Sequence, residues 1–221
     1  MTTVELDAFI GVCILAGVFK SKGESVASLW ESKFGRPIFP AIMSRVRFEQ
    51  LTVALRFDDN GSWASRRTGD KLALIRDIWD LWSGNLPAMY NLGHDFTVDE
   101  CLVPFKGRCS FRQYMPRKPG RYGLKIWVLC DARTSYCWRV KLYTGKPPGE
   151  AREVNVGKNV VLELAEGLRG HNITLDNFFT SFSLGQELLK RNMTMVGTVR
   201  RNRPELLPAL LAAKGRLVHS S

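Results

Sequence analysis

The chain has 221 residues, 45% of them apolar and 24% charged, which is long enough for one large domain or two small ones with a buried core. Its longest apolar stretch, near Phe9–Phe19, is broken by glycines and too short to span a bilayer, and no charged-then-apolar leader opens the chain, so neither membrane insertion nor secretion is expected. Five cysteines without a CxxC pair or a Cys/His cluster fit a reducing compartment and argue against a zinc site.

The net charge of +11 is unevenly spread. Residues 1–90 are almost balanced, residues 104–147 carry 11 Lys/Arg against Asp131 alone, and residues 200–221 add five basic residues against Glu205. Such clustering favours a surface that faces a polyanion over a merely solvated face.

The first ninety residues read as helices. Thr2 and Glu5 have capping-box spacing ahead of Leu6, Phe9, Ile10, Cys13 and Ile14, a stripe wide enough to predict a buried helix. After a loop through Lys20–Gly23, a short helix over Ser25–Phe34 is expected. Pro40 then suits the first turn of a helix carrying Ile42, Met43, Val46, Gln50, Leu51 and Ala54. Asp58–Gly69, with Asn60-Gly61 and Arg66-Arg67, reads as a loop. Asp70 should cap an amphipathic helix whose face of Leu72, Ile75, Ile78, Trp79 and Trp82 is best explained as core packing.

Beyond Leu92 the period changes to that of strands. Strands are expected at His94–Val103, Tyr122–Cys130 and Tyr136–Tyr143, the last two joined by the loop of an antiparallel hairpin. The Pro/Gly-rich loop Gly145–Gly149 leads to a helix at Lys158–Leu168, a strand at Asn172–Asp176, a helix near Ser183–Arg191 and a strand at Thr194–Val199. A short Ala/Leu-rich tail follows Pro204. The order predicts an α/β fold: a mixed sheet covered by helices, preceded by an all-helical region.

One pattern is written twice. HDFTVDE (residues 94–100) and HNITLDN (residues 171–177) both run from a His through a strand-like alternation to a carboxylate, Asp99 and Asp176. Asp is disfavoured in strands, so its repetition there asks for a reason. If the two strands are neighbours, the carboxylates converge and repel unless a cation lies between them, and Mg²⁺ suits such oxygen ligands. The competing reading makes Asp176 the cap of a turn and pairs Asp99 with an arginine. His94 and His171 are given no role.

Directly after Asp99-Glu100 comes FKGRCSFRQYMPRKPGRYGLK, in which Lys106, Arg108, Arg112, Arg117, Lys118, Arg121 and Lys125 are interleaved with Phe105, Phe111, Tyr114 and Tyr122. Cations beside a carboxylate-bound metal are what phosphodiester chemistry uses, the metal activating oxygens and the Lys/Arg side chains holding phosphates. No base-reading helix is visible in this segment.

These residues carry a resemblance. TVDECLVPFKGRCSFRQYMPRKPGRYGLKIWVLCDA, with YTGKPPG, LDNFFTS and MVGTVRRNR, resembles the core of piggyBac-type transposases, and AFIGVCILAGVFKS, GRPIFPAIMSRVRFEQL and LRFDDN resemble their preceding helical region. The resemblance implies a ribonuclease H-like core at residues 91–203, a helical dimerisation and DNA-binding region at 1–90 and a tail at 204–221. It further implies DNA strand cleavage and transfer at TTAA sites, with transposon ends and target DNA as partners, Mg²⁺ as cofactor and the nucleus as location. Asp99 and Asp176 match the first two of the three metal-binding aspartates of that family. No Gly-Gly-Val-Asp-like context for the third aspartate and no Cys-rich domain occurs within the 221 residues. The chain is therefore expected to be a fragment that binds DNA without cutting it, or a decayed or domesticated remnant.

Overall fold

The structure, a computed structural model, describes residues 1–59, 61–66, 69–145, 154–207 and 211. The expected loop at Asp58–Gly69 is therefore described in part, with Asn60 and Arg67 outside the described residues. Most of the Gly145–Gly149 loop and of the tail past Pro204 lies outside them too. The chain divides into two compact units, Met1–Asp59 and Asn60–Ser221, so residues 60–90 of the helical region belong with the sheet.

In the first unit, helix α1 (Thr3–Val18) starts at the capping box that the sequence predicts: Glu5 N–H donates to Thr2 Oγ1 and Thr2 N–H to Glu5 Oε2. Glu5 also pairs with Arg47 at 2.8 Å. On α1 only Phe9 and Val12 are buried, whereas Ile10, Cys13 and Ile14 of the expected stripe are exposed, so the expected burial of the helix is corrected. Helix α2 (Val26–Leu29) is shorter than expected. Beyond it the Glu31 carboxylate accepts the Lys33 and Phe34 N–H groups, a side-chain alternative to helical bonding.

The helix expected after Pro40 is two helices, α3 (Ile38–Ile42) and α4 (Arg45–Ala54). Met43 is extended between them, and Ser44 caps α4 through a bond from Arg47 N–H. Trp30 locks the break by donating Nε1–H to the Met43 carbonyl at 2.7 Å. Its ring packs on Phe39 and Phe48.

The second unit opens with a single helical turn, α5 (Trp63–Arg66), and α6 (Arg76–Ala88). Asp70 does not cap α6. It accepts Leu72 N–H and pairs with Arg76 at 2.8 Å, so residues 71–75 form turns first. Of the apolar stripe, Leu72 is buried and Ile75 and Trp79 pack with Phe111, Leu142 and Ile126. Ile78 and Trp82 are exposed, so core packing explains only part of that face.

The sheet comprises β1 (Asp95–Pro104), β2 (Gln113–Tyr114), β3 (Tyr122–Asp131), β4 (Cys137–Leu142), β5 (Asn172–Leu175) and β6 (Thr194–Gly197). Its order is β2-β3-β1-β5-β6, with β4 also on β3. The β1–β3, β2–β3 and β3–β4 pairs are antiparallel; β1–β5 and β5–β6 are parallel. Apart from β2, every strand lies where the alternation predicts one. Helices α7 (Val156–Leu164) and α8 (Phe182–Leu189) provide the crossovers. Val160, Val161, Leu164, Leu184 and Leu188 seal Phe96, Val98, Leu129, Ile173 and Leu175 into one core. Arg139 fixes the end of α7 by donating to the carbonyls of Leu164 and Glu166.

The β3–β4 hairpin is tied to the start of β1. Asp131, 3% exposed, accepts N–H bonds from Gly93, Arg133 and Thr134 and the Thr134 hydroxyl bond. Four donors hold its carboxyl down at about 2, led by the Thr134 and Gly93 N–H groups.

Candidate active site

Parallel pairing of β1 with β5 aligns the two echoing runs residue for residue: Asp95 with Asn172, Phe96 with Ile173, Thr97 with Thr174 and Val98 with Leu175. The positions that follow are Asp99 and Asp176. Phe96, Val98, Ile173 and Leu175 are buried under the helices, while Asp99, Thr174 and Asp176 are exposed. With side chains alternating along each strand, both carboxylates belong to the face opposite α7 and α8, Asp99 near the middle of β1 and Asp176 just past the end of the shorter β5. The His94 and His171 rings lie 6.2 Å apart at the other end.

The turn-capping reading of Asp176 also holds. Its Oδ1 accepts Phe178 N–H at 2.8 Å and Phe179 N–H at 3.4 Å, and its carbonyl accepts the Thr180 hydroxyl. Asp99 Oδ1 accepts Glu100 N–H at 2.7 Å, and Asp99 makes no ion pair with an arginine among the described residues. One oxygen of each carboxylate thus accepts a local backbone N–H, and both residues are exposed. An exposed pair of oxygen donors fits a hard cation such as Mg²⁺. Among the described residues, no group of three or more His, Cys, Asp or Glu side chains is placed to hold a metal.

The seven basic residues fall into two sets. Lys125 and Lys118 both pair with Glu100, at 2.8 and 3.8 Å, and Lys118 also donates to the Glu100 carbonyl. Arg112 donates to the carbonyls of Lys106 and Gly107 and lies over the Tyr122 ring. These three organise the connection between β1 and β3. Lys106, Arg108, Arg117 and Arg121 are exposed and make no ion pair or side-chain hydrogen bond among the described residues. Arg121 has φ +47°, held by the turn in which Met115 N–H donates to its carbonyl.

Two cations were missed in the sequence. Because β5 and β6 are parallel, the Arg-rich run after β6 emerges at the same sheet edge as Asp176. Arg200 donates Nε–H to Asn177 Oδ1 at 3.1 Å and lies over the Phe178 ring, which Lys125 also approaches. A cavity of about 370 Å³ opens there, lined by Asn155, Gly157, Phe178, Arg200, Asn202 and Arg203. A Cβ on Gly157 would meet the Phe178 carbonyl at 2.7 Å, so glycine is what lets the start of α7 rest on this loop. Three arginines in four residues after a strand parallel to the Asp176 strand was the signal available.

Comparison with known proteins agrees with this topology. Residues 1–220 match the sequence profile of the family Transposase IS4. The human PiggyBac transposable element-derived protein 3 is 28% identical over 216 residues, covering 94% of this chain and 35% of that protein. The human PiggyBac transposable element-derived protein 2 is 27% identical over 219 residues, covering 94% and 36%. The chain thus spans about a third of the length of these relatives. The solved piggyBac transposase synaptic complex with hairpin DNA superposes with a TM-score of 0.89 at 36% identity, covering 98% of this chain and 46% of that one. The chain belongs to the Transposase IS4 family, as a piggyBac-type member, and its sheet is the ribonuclease H-like fold of the transposase it matches.

Proposed function

We propose that this chain forms part of the DNA-processing core of a piggyBac-type transposase, with Asp99 and Asp176 as metal-binding carboxylates and the 104–125 connection as a DNA-facing surface. The single observation that carries the reading is the in-register parallel pairing of β1 and β5, which makes the two aspartates neighbours. The similar solved complex contains hairpin DNA, which supports DNA as partner here. Mg²⁺ held by Asp99 and Asp176 would supply positive charge to the attacking and leaving oxygens of a phosphodiester. Lys106, Arg108, Arg117 and Arg121 hold phosphates in this reading, and Arg200 and Arg203 extend the cationic surface beside Asp176. The region 1–90 serves as a dimerisation and DNA-binding region ahead of the 91–203 core, and the protein works in the nucleus.

For the 221 residues by themselves we favour DNA binding without strand cleavage, because two carboxylates are fewer than the three the resemblance implies. Duplex DNA binding, followed by fluorescence anisotropy from 50 to 200 mM salt, should weaken steeply and survive Asp99→Asn. Mn²⁺ bound as a spectroscopic stand-in for Mg²⁺ should be lost in both Asp99→Asn and Asp176→Asn. Salt-insensitive binding would falsify the basic surface, and metal binding that persists in both variants would remove the carboxylate site. Robust nicking of DNA by the wild-type chain, abolished by Asp176→Asn, would overturn the non-cleaving reading.

A further inference from the structure

The β3–β4 hairpin carries two half-buried cysteines in direct register, Cys130 and Cys137. The hydrogen-bond ladder shows what kind of pair they form. Asp131 N–H donates to the Tyr136 carbonyl at 2.9 Å, so Asp131 turns its N–H towards β4 and Cys130 turns its own away from β4. The alternation of an antiparallel ladder then makes Cys130 and Cys137, the next pair inward, a non-hydrogen-bonded one. Such pairs bring Cα atoms to about 4.5 Å and side chains closest together. A disulfide spans Cα separations of roughly 4.4–6.8 Å, a range that includes the spacing usual for such pairs. A bulge just beyond, where the register shifts between Leu129 and Cys130, adds local twist. Cys101 lies on β1 opposite Ile126 and is a ladder neighbour of neither thiol.

We infer that Cys130 and Cys137 form an oxidisable dithiol, a modification site at which a peroxide closes a cross-strand disulfide. Cys130 is the attacking sulfur. The Cys137 thiol donates to the Arg139 carbonyl at 3.9 Å, a bond that holds its proton and leaves the first attack to Cys130. The Cys130 thiolate attacks one peroxide oxygen, the O–O bond breaks, and the other oxygen leaves as water after taking a proton, giving a sulfenic acid. The Cys137 sulfur then displaces that hydroxyl as a second water, and the S–S bond forms. Two thiols lose two electrons and two hydrogens, and one peroxide becomes two waters. The closed loop holds residues 131–136, which contain the Asp131 anchor to Gly93. This chemistry needs neither DNA nor Mg²⁺, so it stands or falls separately from the transposase reading.

The experiment uses the purified, fully reduced chain, treated with hydrogen peroxide, alkylated and mapped by mass spectrometry without reduction. The expected product is a Cys130–Cys137 linked peptide, with two fewer alkylatable thiols per chain and full reversal by dithiothreitol. Cys137→Ser should leave Cys130 without its resolving partner and raise its sulfinic acid yield at least about tenfold over wild type. Should Cys137→Ser misfold, Cys137→Val serves the same purpose, while Cys101→Ser should change nothing. Cys130 overoxidised in wild type with Cys137 still alkylatable, or either thiol linked instead to Cys101, Cys109 or a second chain, overturns the inference.

Discussion

Two carboxylates flank the same strand and live under opposite conditions. Asp131, beside the start of β1, is 3% exposed and accepts four hydrogen bonds, one of them from Gly93. Asp99, near the middle of β1, is exposed and accepts one, from its own neighbour. A carboxylate whose lone pairs are consumed by donors positions the chain; one with an oxygen left over can bind something. The lone acid in the basic segment therefore does not neutralise that surface. It is spent on folding.

Replacing each residue by alanine is the strongest way to break this contrast. Asp131→Ala leaves the Gly93, Arg133 and Thr134 N–H groups without an acceptor inside the hairpin, and buried donors without partners are costly. We expect the thermal midpoint to fall by several degrees and β1 amides to exchange faster. Asp99→Ala should move both far less. Equal losses from the two substitutions would remove the distinction between an anchoring and an available carboxylate.

The same contrast has a pH signature. The Asp131 carboxyl is lowered from an ordinary 3.8 to about 2 in the folded chain. A depressed folded value means that the unfolded chain binds the proton more tightly, so the stabilisation is complete above about 3.8 and is lost as the pH falls through that value towards 2. Urea unfolding of wild type should weaken on acidification through this window, and Asp131→Asn should flatten that limb. An unchanged acid limb in the variant would show that other groups carry it.

Among the cations a similar division holds on a smaller scale. Lys106, Arg108, Arg117 and Arg121 replaced together by alanine should reduce DNA affinity and lower the log–log salt slope by about 0.9 for each phosphate no longer neutralised. Replacing Arg112, Lys118 and Lys125 should act mainly through stability, because these side chains bond Glu100 and the carbonyls of 106 and 107. Arg200→Ala should lower both DNA affinity and stability, because Arg200 also bonds Asn177 and lies over Phe178. A larger drop in salt slope from the engaged set than from the free set would reverse the assignment.

The strands were legible because period-2 alternation reports burial directly, and Phe96/Val98 and Ile173/Leu175 keep that period without interruption. The pairing of Asp99 with Asp176 was legible only as an echo, since nothing in a single sequence states that β1 and β5 are neighbours or parallel. Helix limits were missed where side chains compete with the backbone. Ser44 caps α4 and so divides it from α3, while Asp70 accepts Leu72 N–H and pairs with Arg76, so in both places a side chain takes backbone N–H groups that a continuous helix would use. Composition also could not tell which lysines of the basic run face Glu100, because that depends on how the connection folds back over β1 and β3. Arg200 and Arg203 were counted in the tail's charge, yet the contact of Arg200 with Asn177 needed the parallel β5–β6 pairing.

The smallest effect bears most directly on what Asp99 and Asp176 are for. Two like charges at the positions that follow the last paired residues of parallel strands repel when no cation lies between them. Asparagine at either position keeps an Oδ1 acceptor, so the bonds from Glu100 N–H and Phe178 N–H survive the change. Removing one charge without disturbing the turn should therefore stabilise the metal-free chain slightly, by about 0.5 kcal/mol, the scale of exposed charge pairs. Mg²⁺ should stabilise wild type and leave Asp99→Asn and Asp176→Asn unmoved, because the proposed site needs both carboxylates. A chain that gains nothing from either substitution and nothing from Mg²⁺ would have two aspartates serving only as turn formers.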